Sequence, residues 1–150
     1  MENKEKYTYN WPRPMVTVDA IVFDIRSKPK VLLIKRGNEP FKGQWAFPGG
    51  FVEMDEELED AVSRELAEET GLTGVKLEQF HTFGKCGRDP RGRNITIAFI
   101  GVTKNANVKG GDDAAEAKWF EIDALPKMGF DHDDVAALAI KKLSELVNNP

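Results

Sequence analysis

Four side chains able to hold and orient a cation fall within two turns of one segment: Arg64, Glu65, Glu68 and Glu69, in GFVEMDEELEDAVSRELAEETGL from Gly50 to Leu72. At about 100° per residue, with Leu58 as origin, Val62 falls at about 40° and Leu66 at about 80°, while Glu69 falls at about 20° and Glu65 at about 340°. Two carboxylates therefore border the apolar stripe of the predicted helix, and Glu68, at about 280°, converges on the same edge. An ionised carboxylate taken out of water without a partner costs several kcal/mol, so something positive must sit there. A carboxylate cluster with no adjacent His or Cys selects a hard, oxygen-seeking ion such as Mg²⁺ or Mn²⁺.

The elements that must position this cluster follow from pattern. Met15 to Ile25 is rich in Val and Ile and reads as a strand, and Lys30 to Lys35 as a second, with Ser27-Lys28-Pro29 turning between them, so the two are expected to pair antiparallel. Gly37 to Gly43 is a loop, followed by Trp45-Ala46-Phe47-Pro48-Gly49-Gly50. The paired glycines match neither a Walker loop, which needs two glycines five apart followed by Lys and Ser or Thr, nor a dinucleotide fingerprint. They instead let the backbone turn tightly into the helix and expose a carbonyl to a metal. Gly71 is placed to end the helix in a left-handed conformation. Val75 to Phe83, Asn94 to Val102 and Ala117 to Ile122 read as strands, and a last helix runs from Asp131 or His132 through Val147. The expected product is a mixed sheet with one helix early and one late.

Composition bounds the function. With 150 residues, 41% of them hydrophobic, the chain can bury one ordinary core. The expected organisation is a polar N-terminal arm over residues 1–14, where Pro12 and Pro14 forbid regular helix, and a single domain over 15–150. A net charge of −4 argues against a nucleic-acid binder, which needs a basic face. Cys86 is the only cysteine, the start is too polar for a signal peptide and no apolar stretch reaches membrane-spanning length. A cytoplasmic protein with no membrane partner is expected.

Gly50, Glu56 and then Arg64-Glu65-Leu66-Ala67-Glu68-Glu69-Thr70-Gly71-Leu72 resemble the complete Nudix box, the signature of hydrolases that cleave a nucleoside diphosphate linked to another group. The resemblance implies an α+β fold, an α/β/α sandwich with a mixed sheet flanked by helices. It also implies Glu65 and Glu69 as principal metal ligands, Glu68 as a further ligand or a base, the Gly49 carbonyl as an additional ligand, and Arg64 as the residue that orients a glutamate. Glu56, read as one turn into the helix, either reaches a water beside the metal ligands or serves the helix N-terminal electrostatics. Glu53, Asp55, Glu57, Glu59 and Asp60 read as a solvated acidic face, with Glu53 an outside candidate for the cluster. Nudix enzymes often draw their general base from a distant loop, and the acidic candidates are Asp112, Asp113 and Glu116, with Asp113 and Glu116 preferred.

Specificity lies outside the box. Arg88, Arg91 and Arg93, on a Pro/Gly turn before Asn94-Ile95-Thr96-Ile97-Ala98-Phe99, can grip phosphate or a ribose-linked group through planar bidentate bonds. TFGKCGRDPRGRNITIAF resembles the corresponding segment of Nudix ADP-ribose pyrophosphatases, although Cys86 stands where many of that branch carry proline. Arg36, at the end of the second strand, reaches toward a phosphate. Phe47 either stacks on adenine or packs in the core, and Phe41 and Trp45 are weaker candidates. His81 falls in strand alternation and His132 at a helix start, neither with a second His at metal spacing. Tyr7, Tyr9 and Trp11 are read as packing on a second subunit, a homodimer being the habit of that branch. The expected reaction is hydrolysis of a nucleotide-sugar, ADP-ribose, to AMP and ribose 5-phosphate. The alternatives are a nucleoside triphosphate pyrophosphohydrolase and an ADP-ribose-sensing domain without efficient turnover. Such sensors append a DNA-binding winged helix, and the stretch after Ile122 is read as enough for one helix.

Overall fold

Ten residues from Met15 to Asp24 form β1, buried from Thr17 onward on both faces, as a central strand covered on two sides requires. The computed structural model describes residues 6–111 and 114–148. Next to β1, Asn94–Val102 forms β6, paired parallel from Met15↔Asn94 to Phe23↔Val102, and Glu78–Phe83 forms β5, antiparallel to β6. On the other side Lys30–Arg36 forms β2. It meets β1 only at Phe23↔Val31 and Asp24↔Lys30 before the two diverge, and Ala114–Glu121 forms β7 on its far edge.

The divergence of β1 and β2 explains two elements absent from the sequence expectation. Trp45–Ala46 (β3) pairs with β2, and Gly49–Phe51 (β4) pairs with β1. Each satisfies an edge that would otherwise leave backbone groups unpaired. The sheet is therefore mixed, as expected. β7 begins at Ala114 rather than Ala117, with a register shift at Lys35/Arg36, and β5 begins at Glu78 rather than Val75.

Side chains alternate across the sheet and feed two cores. Val18, Ala20, Val22, Leu32 and Phe99 pack against Ala61, Val62 and Leu66 of helix α1 (Leu58–Thr70). Ile21, Phe23, Val31, Leu33, Ala98 and Ile100 pack against Val135, Ala136, Ala139 and Leu143 of helix α2 (His132–Asn148). This is the expected α+β arrangement, with a helix layer on each face of the sheet. Among the described residues no helix is long and apolar enough to cross a membrane. In the arm, Tyr7 and Tyr9 stack at 6.4 Å, Arg13 lies over Tyr9, and Trp11 is 79% exposed.

Helix α1 is shorter at its start than expected. Glu57 is its N-cap and Glu56 lies before it, in a turn closed by the Glu56 N–H on the Glu53 carbonyl and the Glu53 N–H on Glu56 Oε1. It ends as the sequence requires, at Gly71 with φ 77°, whose N–H donates to the Ala67 carbonyl. A methyl group at Gly71 would have room, its nearest neighbour being Lys109 Cγ at 3.8 Å, so the cost of a side chain there is conformational. Gly71→Ala is expected to lower stability by about 1 kcal/mol, read as a lower urea midpoint with an unchanged slope.

Candidate active site

A cleft of about 800 Å³ opens where β1 and β2 separate, and the box residues form one of its walls. Their placement begins with two glycines. A Cβ at Gly49 would strike the Val18 carbonyl and Asp19 Oδ1, and one at Gly50 would strike the Glu65 carboxylate, so β4 can lie between β1 and α1 only without side chains at these positions. Ala20 donates to the Pro48 carbonyl and Val52 to the Val16 carbonyl. By the alternation of an antiparallel pair, Gly49 then points its N–H and C=O away from β1. The N–H donates to Glu69 Oε1 at 2.8 Å, and the carbonyl faces the same side as the box carboxylates.

Arg64 organises the rest. Its Nε and Nη2 grip both oxygens of Glu56 at 2.6 and 2.9 Å, its Nη1 reaches Glu65 at 2.9 Å and Glu68 at 3.2 Å, and Nη2 also donates to the Phe51 carbonyl. The expected i,i+4 pair with Glu68 is therefore present as the most exposed of these contacts. The strongest partner is Glu56, in the turn ahead of the helix. The Arg64 guanidinium holds the Glu56 carboxyl below its ordinary value against the effect of burial, and Glu56 in turn raises Arg64. Glu65 behaves oppositely. Burial pushes its carboxyl up, more than Arg64 lowers it, and the neighbouring Glu68 and Glu56 charges add to the rise.

This wall fits a hard divalent cation by its donor chemistry. Three carboxylates and a carbonyl share one rim, all are oxygen donors, and a desolvated Glu65 remains short of positive charge even beside Arg64. Glu65, Glu68 and Glu69 and the Gly49 carbonyl are the groups that would hold it. Among the described residues no three carboxylate, imidazole or thiol donors are drawn together in ligand geometry. Glu65 and Glu68 are bonded to Arg64, and Glu69 to Gly49.

The remaining candidates fare differently. Arg36 lines the cleft, with Nε on the Pro40 carbonyl and its guanidinium 4.9 Å from the centre of the Phe130 ring. Arg91 lines it too, over Phe51 and Phe130, held by a two-pronged bond to Asp89. Arg88 lines the cleft as well, but its guanidinium is already engaged. Its side chain is 4% exposed, with Nε and Nη2 on the two oxygens of Asp131 at 2.9 Å and Nη1 on Thr96 Oγ1 at 2.7 Å, so it braces the wall against α2. Phe47 borders the cleft but is only 3% exposed, its ring packed within the α2 core. Trp45 packs on Phe120 and Phe41 on Phe130. Glu116 is not on a mobile loop but on β7 opposite Lys35, outside the cleft lining. Asp113, with Asp112, lies outside the described residues.

The cleft also holds residues that sequence reasoning passed over. Phe51 and Phe130 supply its aromatic surface, and Thr17, Asp19, Thr96 and His132 its polar floor. Asp19 carries a readable signal, a carboxylate inside the buried run VTVDAIVFD. His132 carries none, since it looks like any polar residue at a helix start, yet it is buried at 5%.

A nucleotide-sized cleft, walled by acidic oxygens on a helix entered through a glycine pair and faced by arginines, defines a metal-assisted phosphate-ester or pyrophosphate site. The model of the NUDIX domain matches residues 13–139, and the chain belongs to the Nudix family. It is 48% identical over 122 residues to an ADP-ribose pyrophosphatase of Methanocaldococcus jannaschii, covering 81% of this chain and 70% of that one. It is 33% identical over 141 residues to the ADPR responsive transcriptional repressor NtrR of Acinetobacter baylyi, covering 90% of this chain but only 56% of the repressor. Among solved structures, the NUDIX domain of Shewanella oneidensis NrtR complexed with ADP ribose is similar with a TM-score of 0.83 at 32% identity, covering 89% and 90% of the two chains.

The Asp89 brace gives a stability prediction. Burial alone would raise its carboxyl, but Arg91 and Asn94 outweigh that and hold it at about 2, below its ordinary 3.8. Because the folded value lies below the unfolded one, this stabilisation is complete above about pH 4 and is lost as pH falls through about 2. Asp89→Asn is expected to cost about 2 kcal/mol at pH 7. The gap between the two proteins should narrow toward pH 2, as followed by urea denaturation across that range.

Proposed function

We propose that this chain is a divalent-metal-dependent Nudix hydrolase that splits the pyrophosphate bond of ADP-ribose to give AMP and ribose 5-phosphate, with Mg²⁺ or Mn²⁺ as its ion. The observation that carries this reading is the meeting, in one cleft, of Glu65, Glu68 and Glu69 with Arg36, Arg91 and the rings of Phe51 and Phe130. The bound ion supplies charge neutralisation at the diphosphate and a more acidic water. The protein's share is positioning. Glu65, Glu69 and the Gly49 carbonyl hold the acidic rim in place, and Arg64 keeps Glu65 and Glu68 turned inward through a guanidinium itself anchored on Glu56. Glu68, with 41% of its side chain exposed, is the box carboxylate best able to accept a proton from water in the cleft, and Asp113 is the second candidate. Arg36 and Arg91 face the anionic substrate.

The relatives support the substrate: one is an ADP-ribose pyrophosphatase, and a structural neighbour is complexed with ADP ribose. Against a purely sensing role stands the retention of every box carboxylate, which a ligand sensor does not need. The exposed Tyr7, Tyr9 and Trp11 of the arm support a homodimer.

With Mg²⁺ present, ADP-ribose is expected to release AMP, and a panel of nucleoside triphosphates to release little pyrophosphate, both read by ion-exchange chromatography. Pyrophosphate from a triphosphate with no AMP from ADP-ribose would reverse the substrate assignment. Glu69→Gln keeps an acceptor for the Gly49 N–H but removes the charge. It should reduce kcat by about 100-fold or more while moving the unfolding free energy by less than about 1 kcal/mol. A variant that unfolds, or that retains full turnover, overturns the role given to Glu69.

A further inference from the structure

The segment that presents the Gly49 carbonyl is tied at its start by a histidine outside the box. Residues 127–129 run beside β3: Trp45 donates to the Lys127 carbonyl, and Gly129 donates to the Trp45 carbonyl. The next donor along the strand, the Phe47 N–H, does not go to a backbone carbonyl. It donates to His132 Nδ1 at 3.1 Å, so an imidazole takes the place of the next backbone acceptor. An Nδ1 that accepts must be unprotonated, which places the ring hydrogen on Nε2.

Nε2 lies 3.2 Å from Asp19 Oδ2. The contact is within hydrogen-bond distance yet is not aligned as a hydrogen bond, and Oδ2 is buried without a hydrogen-bond partner among the described residues. The distance is the more informative of the two facts, because a buried carboxylate oxygen facing a ring N–H attracts it even when the angle is poor. The other oxygen of the same carboxylate, Oδ1, packs against Gly49, where a Cβ would strike it. Asp19 thus touches the ring that holds residue 47 and the backbone of residue 49, while Ala20 N–H holds the carbonyl of Pro48 between them.

We propose that His132, oriented by Asp19, is a positioning residue for the metal site: through the Phe47 N–H it sets the Phe47–Gly49 turn so that the Gly49 carbonyl faces Glu65, Glu68 and Glu69. The inference rests on the metal-dependent reading above. What matters in it is an acceptor at the Nδ1 position rather than the volume of the ring.

Two substitutions separate these. In His132→Asn the amide oxygen can stand where Nδ1 stands and accept from Phe47. In His132→Gln the polar end reaches the Nε2 position and leaves the Phe47 N–H without its acceptor. Mn²⁺ affinity of the wild-type and variant chains is measured by electron paramagnetic resonance of the free ion, with kcat and KM for ADP-ribose alongside. H132Q is expected to bind Mn²⁺ about 10-fold or more weakly and to lose kcat in similar proportion, with KM within about threefold. H132N should stay within about threefold of wild type in all three. Equal Mn²⁺ affinity in wild type, H132N and H132Q overturns the proposal even if both variants are less stable. So does equal loss in the two variants, which would mark a packing role. A wild-type chain that takes up no Mn²⁺ sinks the metal-dependent reading and this inference with it, so the wild-type titration tells the two failures apart.

Discussion

The cleft depends on the approach of a strand without side chains to a helix rich in carboxylates. Gly49 and Gly50 let β4 lie against α1 so closely that the Glu65 carboxylate occupies the space of a missing Cβ and Glu69 takes the Gly49 N–H. A charge-assisted bond of that kind contributes about 1.5–3 kcal/mol, whereas burying a carboxylate costs several kcal/mol. Glu69 is 7% exposed, and burial raises the Glu65 carboxyl beside it despite the Arg64 contact. The burial of Glu65 favours positive charge beside it, which suits the place of these acidic residues on the apolar edge of α1.

Two arginines meet the same cleft with opposite duties. Arg64 spends its donors within the box, on Glu56, Glu65, Glu68 and the Phe51 carbonyl, and so links the turn before α1 to the acidic rim. Arg88 spends its donors on Asp131 and Thr96, linking the loop before β6 to the start of α2. Lysine could replace neither, since each guanidinium bonds in two directions at once with a planar fork. Arg91 and Arg36 line the cleft beside Phe130.

The legible parts of the fold were those with long periodic signals. β1, β2, β6 and both helices follow from runs of seven residues or more, and Gly71 ends α1 for the reason its type suggests. β3 and β4, of two and three residues, have no period to read and exist because β1 and β2 separate. Within the site, Arg64 and the three box glutamates were legible because they lie on one helix edge, where local geometry decides. The partners of Arg88 and His132 were not. Asp131 is 43 residues from Arg88, and Phe47 is 85 from His132, so only the tertiary fold brings them together. The burial of Arg88 was not legible for the same reason: an exposed-looking basic loop is drawn in when a distant carboxylate claims its guanidinium.

The divergence of β1 and β2 also accounts for where the chemistry sits. Two strands that pair at only two positions leave a wedge, and the chain from Trp45 to Phe51 fills it by pairing first with one strand and then with the other. In crossing from β2 to β1 it must turn at Phe47-Pro48-Gly49, away from ladder partners on at least one side. Backbone groups freed in this way have to be satisfied by side chains or by ligands. Here the Phe47 N–H goes to His132 and the Gly49 N–H to Glu69, one from each helix. Both helix layers therefore converge on the one point where the sheet is incomplete, and the carbonyl of Gly49 is placed there by opposing restraints from α1 and α2.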